Sequence, residues 1–124
     1  MTVLELAHSK TPEQIASLVT TVRSAIPYMT SFTYSHRARL VKPMISYDLS
    51  AFAVSFLPAS GEKRRAQIAA PADQRVVEGD QYTYHHLRRD VFNLAQSTGV
   101  EVESRYQVPS AHITLGRYLG EEDH

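Results

Sequence analysis

The residues of this chain best suited to chemistry lie near its C-terminus, in the run Ala111-His112-Ile113-Thr114-Leu115-Gly116-Arg117-Tyr118. A histidine and a threonine two apart in a β-prone run share one side of a strand, because strand side chains alternate with period two. That sets an imidazole beside a hydroxyl, with the Arg117 guanidinium three residues beyond Thr114. A proton carrier, a hydrogen-bond donor and a fixed positive charge are the groups that phosphate-ester chemistry uses. At the other end, Met1-Thr2-Val3-Leu4-Glu5 looks like a second copy of the motif with its histidine cut off.

Arg117 has two readings. Strict alternation puts it on the face opposite His112 and Thr114, unless Gly116 bulges the strand and brings it back. The small neighbours Ala111 and Gly116 are expected to leave room for a ligand to approach.

The elements that must position these residues form a short series. Thr2 to Ala7 reads as a strand. Thr11, Pro12 and Gln14 make a helix start with N-cap, first-position proline and capping box. Ile15, Leu18, Val19, Val22 and Ile26 then follow at helical spacing, which predicts a helix to about Ala25. Residues 27–40 give no clear period. Leu40 to Asp48 and Ala51 to Leu57 read as strands, the second alternating Phe52, Val54 and Phe56 against small residues. Asp48-Leu49-Ser50 joins them as a hairpin. Pro43 then belongs at an edge or a strand start.

Residues 58–79 turn polar. They hold Lys63-Arg64-Arg65, read as a solvated loop with weak RNA contact as the sharper alternative, and a short strand is open around Gln67-Ile68-Ala69. A second helix fits Tyr82 to Thr98, stopped by Gly99. Val100 to Tyr106 reads as a short strand, Pro109-Ser110 leads into the motif strand, and residues 121–124 form a frayed tail. The order of elements indicates an α+β fold with mostly antiparallel sheets and two main helices.

Bulk composition narrows the partners. The chain has 124 residues, 43% of them apolar, which suits one domain with a core. Thirteen basic residues balance thirteen acidic ones, so no global field attracts nucleic acid or an anionic membrane, and phosphate binding must come from a local site. With no cysteine there is neither disulfide nor thiolate metal site, which fits a cytoplasmic or nuclear setting. No apolar run approaches the roughly 18–20 residues of a membrane span, and no secretory signal is visible.

The segments Met1 to Glu5, Pro43 to Asp48, Tyr84 to Asp90 and Val108 to Arg117 together resemble the 2H phosphoesterase superfamily, in its fungal RNA ligase or cyclic nucleotide phosphodiesterase-like branch. The resemblance covers nearly the whole chain. It implies two pseudo-symmetric α+β lobes facing across a groove, each contributing one His-x-Thr/Ser on a strand. It implies hydrolysis of a 2′,3′-cyclic phosphate on an RNA end or a small cyclic nucleotide, with one histidine as general base and the other as general acid. The chemistry explains the doubling, since base and acid must stand on opposite sides of phosphorus and imidazole titrates near neutral pH. No metal or other cofactor is implied, because hydrogen-bond donors can offset the charge on the equatorial oxygens.

Carried over by position, His112 and Thr114 match the second motif and Thr2 matches the threonine of the first. The first histidine would precede Met1 and is absent from this sequence, as are the strand and helix expected before it. The expectation is therefore a single domain over 1–124, incomplete at its N-terminus and weak or inactive as an enzyme. It should expose apolar surface and a sheet edge that favour self-association. Two alternatives stand beside the enzyme: a non-catalytic nucleotide or RNA-end binding module, and an inactive fragment. RNA ligation has no separate support, for no nucleotidyl-transfer lysine stands in a recognisable context.

The remaining candidates are weaker. Tyr118, with Tyr106, could stack on a base or pack in the core. His85 could line the groove. Adjacent histidines on a helix point about 100° apart, so His85 and His86 make a poor metal pair. His8 lies six residues past Thr2, too far to replace the absent histidine, and His36 with Arg37 and Arg39 reads as loop.

Overall fold

Helix α1 (Pro12–Val22) starts where its cap residues require. The Thr11 hydroxyl accepts from the Gln14 amide at 3.3 Å, and the Gln14 side-chain oxygen accepts from the Thr11 amide at 2.9 Å. The helix tightens into one 3₁₀ turn at Arg23–Ala25, and α2 (Ile26–Ser35) follows at once with Pro27 in its first turn, where the missing N–H costs nothing. This second helix is the part the sequence left without a period. Its hydroxyls are absorbed locally: Thr30 donates to the Ile26 carbonyl at 3.0 Å and Ser31 to that of Tyr28 at 3.0 Å.

The computed structural model describes residues 1–61, 79–103 and 111–120. In them β1 (Leu40–Tyr47) and β2 (Ala51–Pro58) form the expected hairpin, and β3 (Ala111–Arg117) adds antiparallel to β2, giving the order β1-β2-β3. A 3₁₀ turn at Gly79–Gln81 precedes α3 (Tyr84–Ser97). Thr83 caps α3, and His86 fills the place a glutamate or glutamine takes in most capping boxes, its Nδ1 accepting from the Thr83 amide at 3.0 Å. Gly99 ends the helix at φ +90°, in the left-handed region. The chain is thus a small α+β domain, with three α-helices and one antiparallel sheet among the described residues.

The core sits at one end of the sheet. Phe32 of α2 and Tyr84, Leu87 and Val91 of α3 close over Ala111 of β3, with Phe56 and Leu40 packed against them. Val22, Ala95 and Val100 form a smaller cluster beneath α1. The other end of the same sheet face has no helix over it among the described residues, and Ile45 and Tyr47 are 67% and 79% exposed.

Two strand expectations are corrected. Residues 2–7 join no ladder; Leu6 accepts one backbone bond from Glu103 at 2.9 Å. Val3 and its neighbour Leu4 both pack against the main core, a pattern that a strand alternating between two faces does not produce. Residues 100–103 are likewise not a strand, and 104–106 lie outside the described residues, as do Lys63-Arg64-Arg65, Gln67-Ile68-Ala69, Tyr106 and the tail 121–124.

Arg39 lies in the expected loop, between α2 and β1, and its side chain has a structural task. Its Nε donates to Asp80 Oδ1 at 2.9 Å, its second nitrogen pairs with Asp80 Oδ2, and the Gly61 amide donates to the same Oδ2 at 3.1 Å. Asp80 is 8% exposed, so one carboxylate ties the entrance of β1, the exit of β2 and the approach to α3. The Arg39 hydrogen bond and charge hold its pKa below the ordinary carboxylate value. A depressed folded-state pKa gives stability that is present above the unfolded value, about 3.9, and is lost as pH falls through the folded value. Asp80→Ala is expected to cost about 2–3 kcal/mol in urea denaturation at pH 7. That deficit should shrink below about pH 4 as the wild-type carboxylate protonates. A deficit independent of pH would contradict this account.

Candidate functional site

The strand register decides which side chains meet. His112 stands opposite Ser55, and Thr114 opposite Ala53. Strict alternation would then place Arg117 on the other face. Instead the register shifts: Gly116 pairs with Phe52 and Arg117 with Ala51, so Leu115 is an extra residue on β3. Ala51, Ala53 and Ser55 share one face of β2, so their partners Arg117, Thr114 and His112 share it too. The bulge reading of Arg117 is the one the structure shows.

The result is a trough. Its floor is β2, with the small side chains of Ala51, Ala53 and Ser55, and its β3 wall carries His112, Thr114 and Arg117. The facing wall is the β1 end of the hairpin, with Ser46 opposite Ala53, then Asp48 and Ser50. The trough is open to solvent, with a volume of about 300 Å³. The Ser46 and Ser55 hydroxyls bond each other across the floor at 2.6 Å.

Asp48 shapes the hairpin turn. Its Oδ1 accepts from the Ser50 amide at 2.7 Å, the Ser50 hydroxyl at 2.8 Å and the Ala51 amide at 2.9 Å. The Ser50 bonds, then the Ala51 bond and the Arg117 charge, lower its pKa, so the carboxylate is ionised at neutral pH. Among the described residues the trough therefore holds an imidazole, several hydroxyls, one fixed cation and one fixed anion.

The other sequence candidates lie elsewhere. Thr2 does not line the trough; its carbonyl accepts from the Tyr84 hydroxyl at 3.0 Å, because Val3 and Leu4 are drawn into the core beside α3. His85 is exposed in the first turn of α3 and does not line the trough either. Tyr118 is absent from the lining; its ring lies 6.1 Å from that of Phe52, which favours packing over base stacking. Ala111 and Gly116 do not make room for a ligand. Ala111 is buried in the core, and Gly116 faces the Phe52 ring, where an added Cβ would stand 2.6 Å from Phe52 Cε1. The room comes from Ala51 and Ala53. The sequence shows them as the small half of the β2 alternation, a signal read there for a strand alone.

Among the described residues no group of three or more His, Asp or Glu side chains is placed to hold a metal ion, and no helix is long and apolar enough to cross a membrane. A second cavity, about 400 Å³, lies against α1 beside Leu6, Lys10, Ile15 and Leu18; its lining is largely apolar, and His8 is its one imidazole. No protein-family model matches the chain, and no match was found among curated proteins or solved structures.

The bulge depends on Gly116. Gly116→Ala is expected to push the Phe52 ring aside and to cost about 1–3 kcal/mol. In a Phe52→Ala background the same change should cost far less, a coupling that a double-mutant cycle in urea reads directly. Equal costs in both backgrounds would show that Phe52 does not set the requirement for glycine.

Proposed function

We propose that the trough is a phosphoester site of the 2′,3′-cyclic phosphodiesterase type, taking a cyclic phosphate on an RNA end or a small nucleotide. The observation that carries this reading is the bulge that gathers His112, Thr114 and Arg117 on one face. Thr114 is suited to donate to a non-bridging phosphate oxygen, and Arg117 to offset its charge. In hydrolysis, water adds to phosphorus while the bond from phosphorus to one ribose oxygen breaks. A base takes the water proton and an acid returns one to the ribose oxygen. His112 can serve one of these transfers.

The 2H phosphoesterase resemblance calls for a second imidazole and a second hydroxyl, from the motif to which Thr2 belongs. Thr2 is not at the trough, and among the described residues His112 is the one imidazole in its lining. That observation favours, as a second reading, binding of a nucleotide or RNA end with little turnover. The exposed Ile45 and Tyr47, together with the β1 and β3 edges, also suit self-association.

The test is a titration of a 2′,3′-cyclic mononucleotide in the presence of a chelator, with hydrolysis followed in parallel. Binding should survive the chelator. Arg117→Ala should weaken it about tenfold or more, the usual loss for a charge-assisted hydrogen bond. His112→Ala should remove what turnover there is, by about 10²-fold or more. A folded chain that binds no cyclic nucleotide sinks both readings. Binding with no turnover, or with a turnover that His112→Ala does not change, leaves only the second.

A further inference from the structure

We propose that Asp48 makes the trough selective for a singly charged phosphodiester over a doubly charged phosphomonoester. This rests on the reading of the trough as a phosphoester site and assigns a task to a residue which that reading does not use.

Asp48, Ala51 and Arg117 form a row across the trough. Arg117 pairs with Ala51 across the β2–β3 ladder, and the Asp48 amide donates to the Ala51 carbonyl at 3.0 Å on the other side. Neighbouring strands lie about 4.8 Å apart, so cation and anion stand roughly 10 Å apart across a floor with only a methyl group between them. Both line the same cavity. A phosphate seated against His112, Thr114 and Arg117 therefore also feels the Asp48 carboxylate.

That carboxylate is held in place. Three hydrogen bonds from Ser50 and Ala51 all end on Oδ1, which fixes the group without using the Oδ2 lone pairs. These bonds restrain it more than a surface carboxylate without turn partners. The Asp48 charge offsets part of the attraction of Arg117, so a second negative charge on the ligand gains less than it would from Arg117 alone, and each added charge raises the repulsion from Asp48.

The two forms of the ligand differ in this charge. A 2′,3′-cyclic phosphate is a diester and carries one negative charge. Ring opening by water gives a monoester whose second ionisation lies near pH 6, so it carries close to two at pH 8. Asp48 thus favours the ring-closed ligand and expels the ring-opened one. For an enzyme this is product release; for a binding module it is recognition of the cyclic end.

The experiment measures dissociation constants of a 2′,3′-cyclic mononucleotide and of its 2′- and 3′-monophosphates at pH 8 and low salt. The unmodified chain, Asp48→Asn and Asp48→Ser are compared. Asparagine keeps an Oδ1 acceptor for the turn and serine keeps a shorter one, so the hairpin has two independent routes to survival. The expected result is a monoester affinity that rises about three- to tenfold more than the diester affinity in both variants, with the gap narrowing as salt increases. Unchanged relative affinities in a folded variant overturn the selectivity while leaving the phosphoester site standing. If the unmodified chain prefers the monoester, the inference is likewise overturned. If it binds neither ligand, the phosphoester reading falls with it.

Discussion

Leu115 is one residue too many for its strand, and the arrangement of the trough follows from that. In an unbroken ladder Arg117 would point to the face that carries Val54, Ile113 and Phe56. The extra residue resets the alternation between Thr114 and Gly116, and Arg117 returns to the face of His112. The ring of Phe52 lies over Gly116 and fills the space that a side chain would take. A local irregularity in one edge strand thereby converts a two-residue motif into a three-residue wall.

The sheet is divided by chemistry as well as by register. One face is polar and shallow, with alanine and serine in the middle strand between a cationic and an anionic wall. The other is apolar throughout, yet only the end bearing Phe56 and Ala111 meets α2 and α3. Its far end leaves Ile45 and Tyr47 exposed. Burial at the covered end stabilises the sheet at about 25 cal/mol per Å² of apolar surface. The buried Arg39–Asp80 pair then fixes how the strands enter and leave that packed end. It adds little attraction beyond its own desolvation, but loss of either partner leaves a buried charge alone.

Elements with a local signal were legible in the sequence. Thr11, Pro12 and Gln14 announced α1, Asp48-Leu49-Ser50 announced the hairpin, and Gly99 marked the end of α3. Helix α2 was not legible, because its serines, threonines and aromatic residues have low helix propensity and its formation depends on Phe32 reaching the core. The N-terminal segment read as a strand because its residues are β-prone, but strands exist only in ladders, and its carbonyls instead accept from the Glu103 amide and the Tyr84 hydroxyl. The side of Arg117 hung on a bulge that a sequence can suggest and cannot decide. Ser46, Ser55 and Asp48 were invisible as site residues, since their role comes from pairing across β1, β2 and β3, which no linear spacing encodes.

The central claim is that His112, Thr114 and Arg117 act together on one ligand. It is met most directly by an amide and side-chain NMR titration of the chain with a 2′,3′-cyclic mononucleotide. The account expects one saturable set of shifts at His112, Thr114, Arg117, Ala53 and Ser55, with Ile113 and the α1 cavity quiet. Shifts centred on Leu6 and Leu18, or none at saturating ligand, would contradict it.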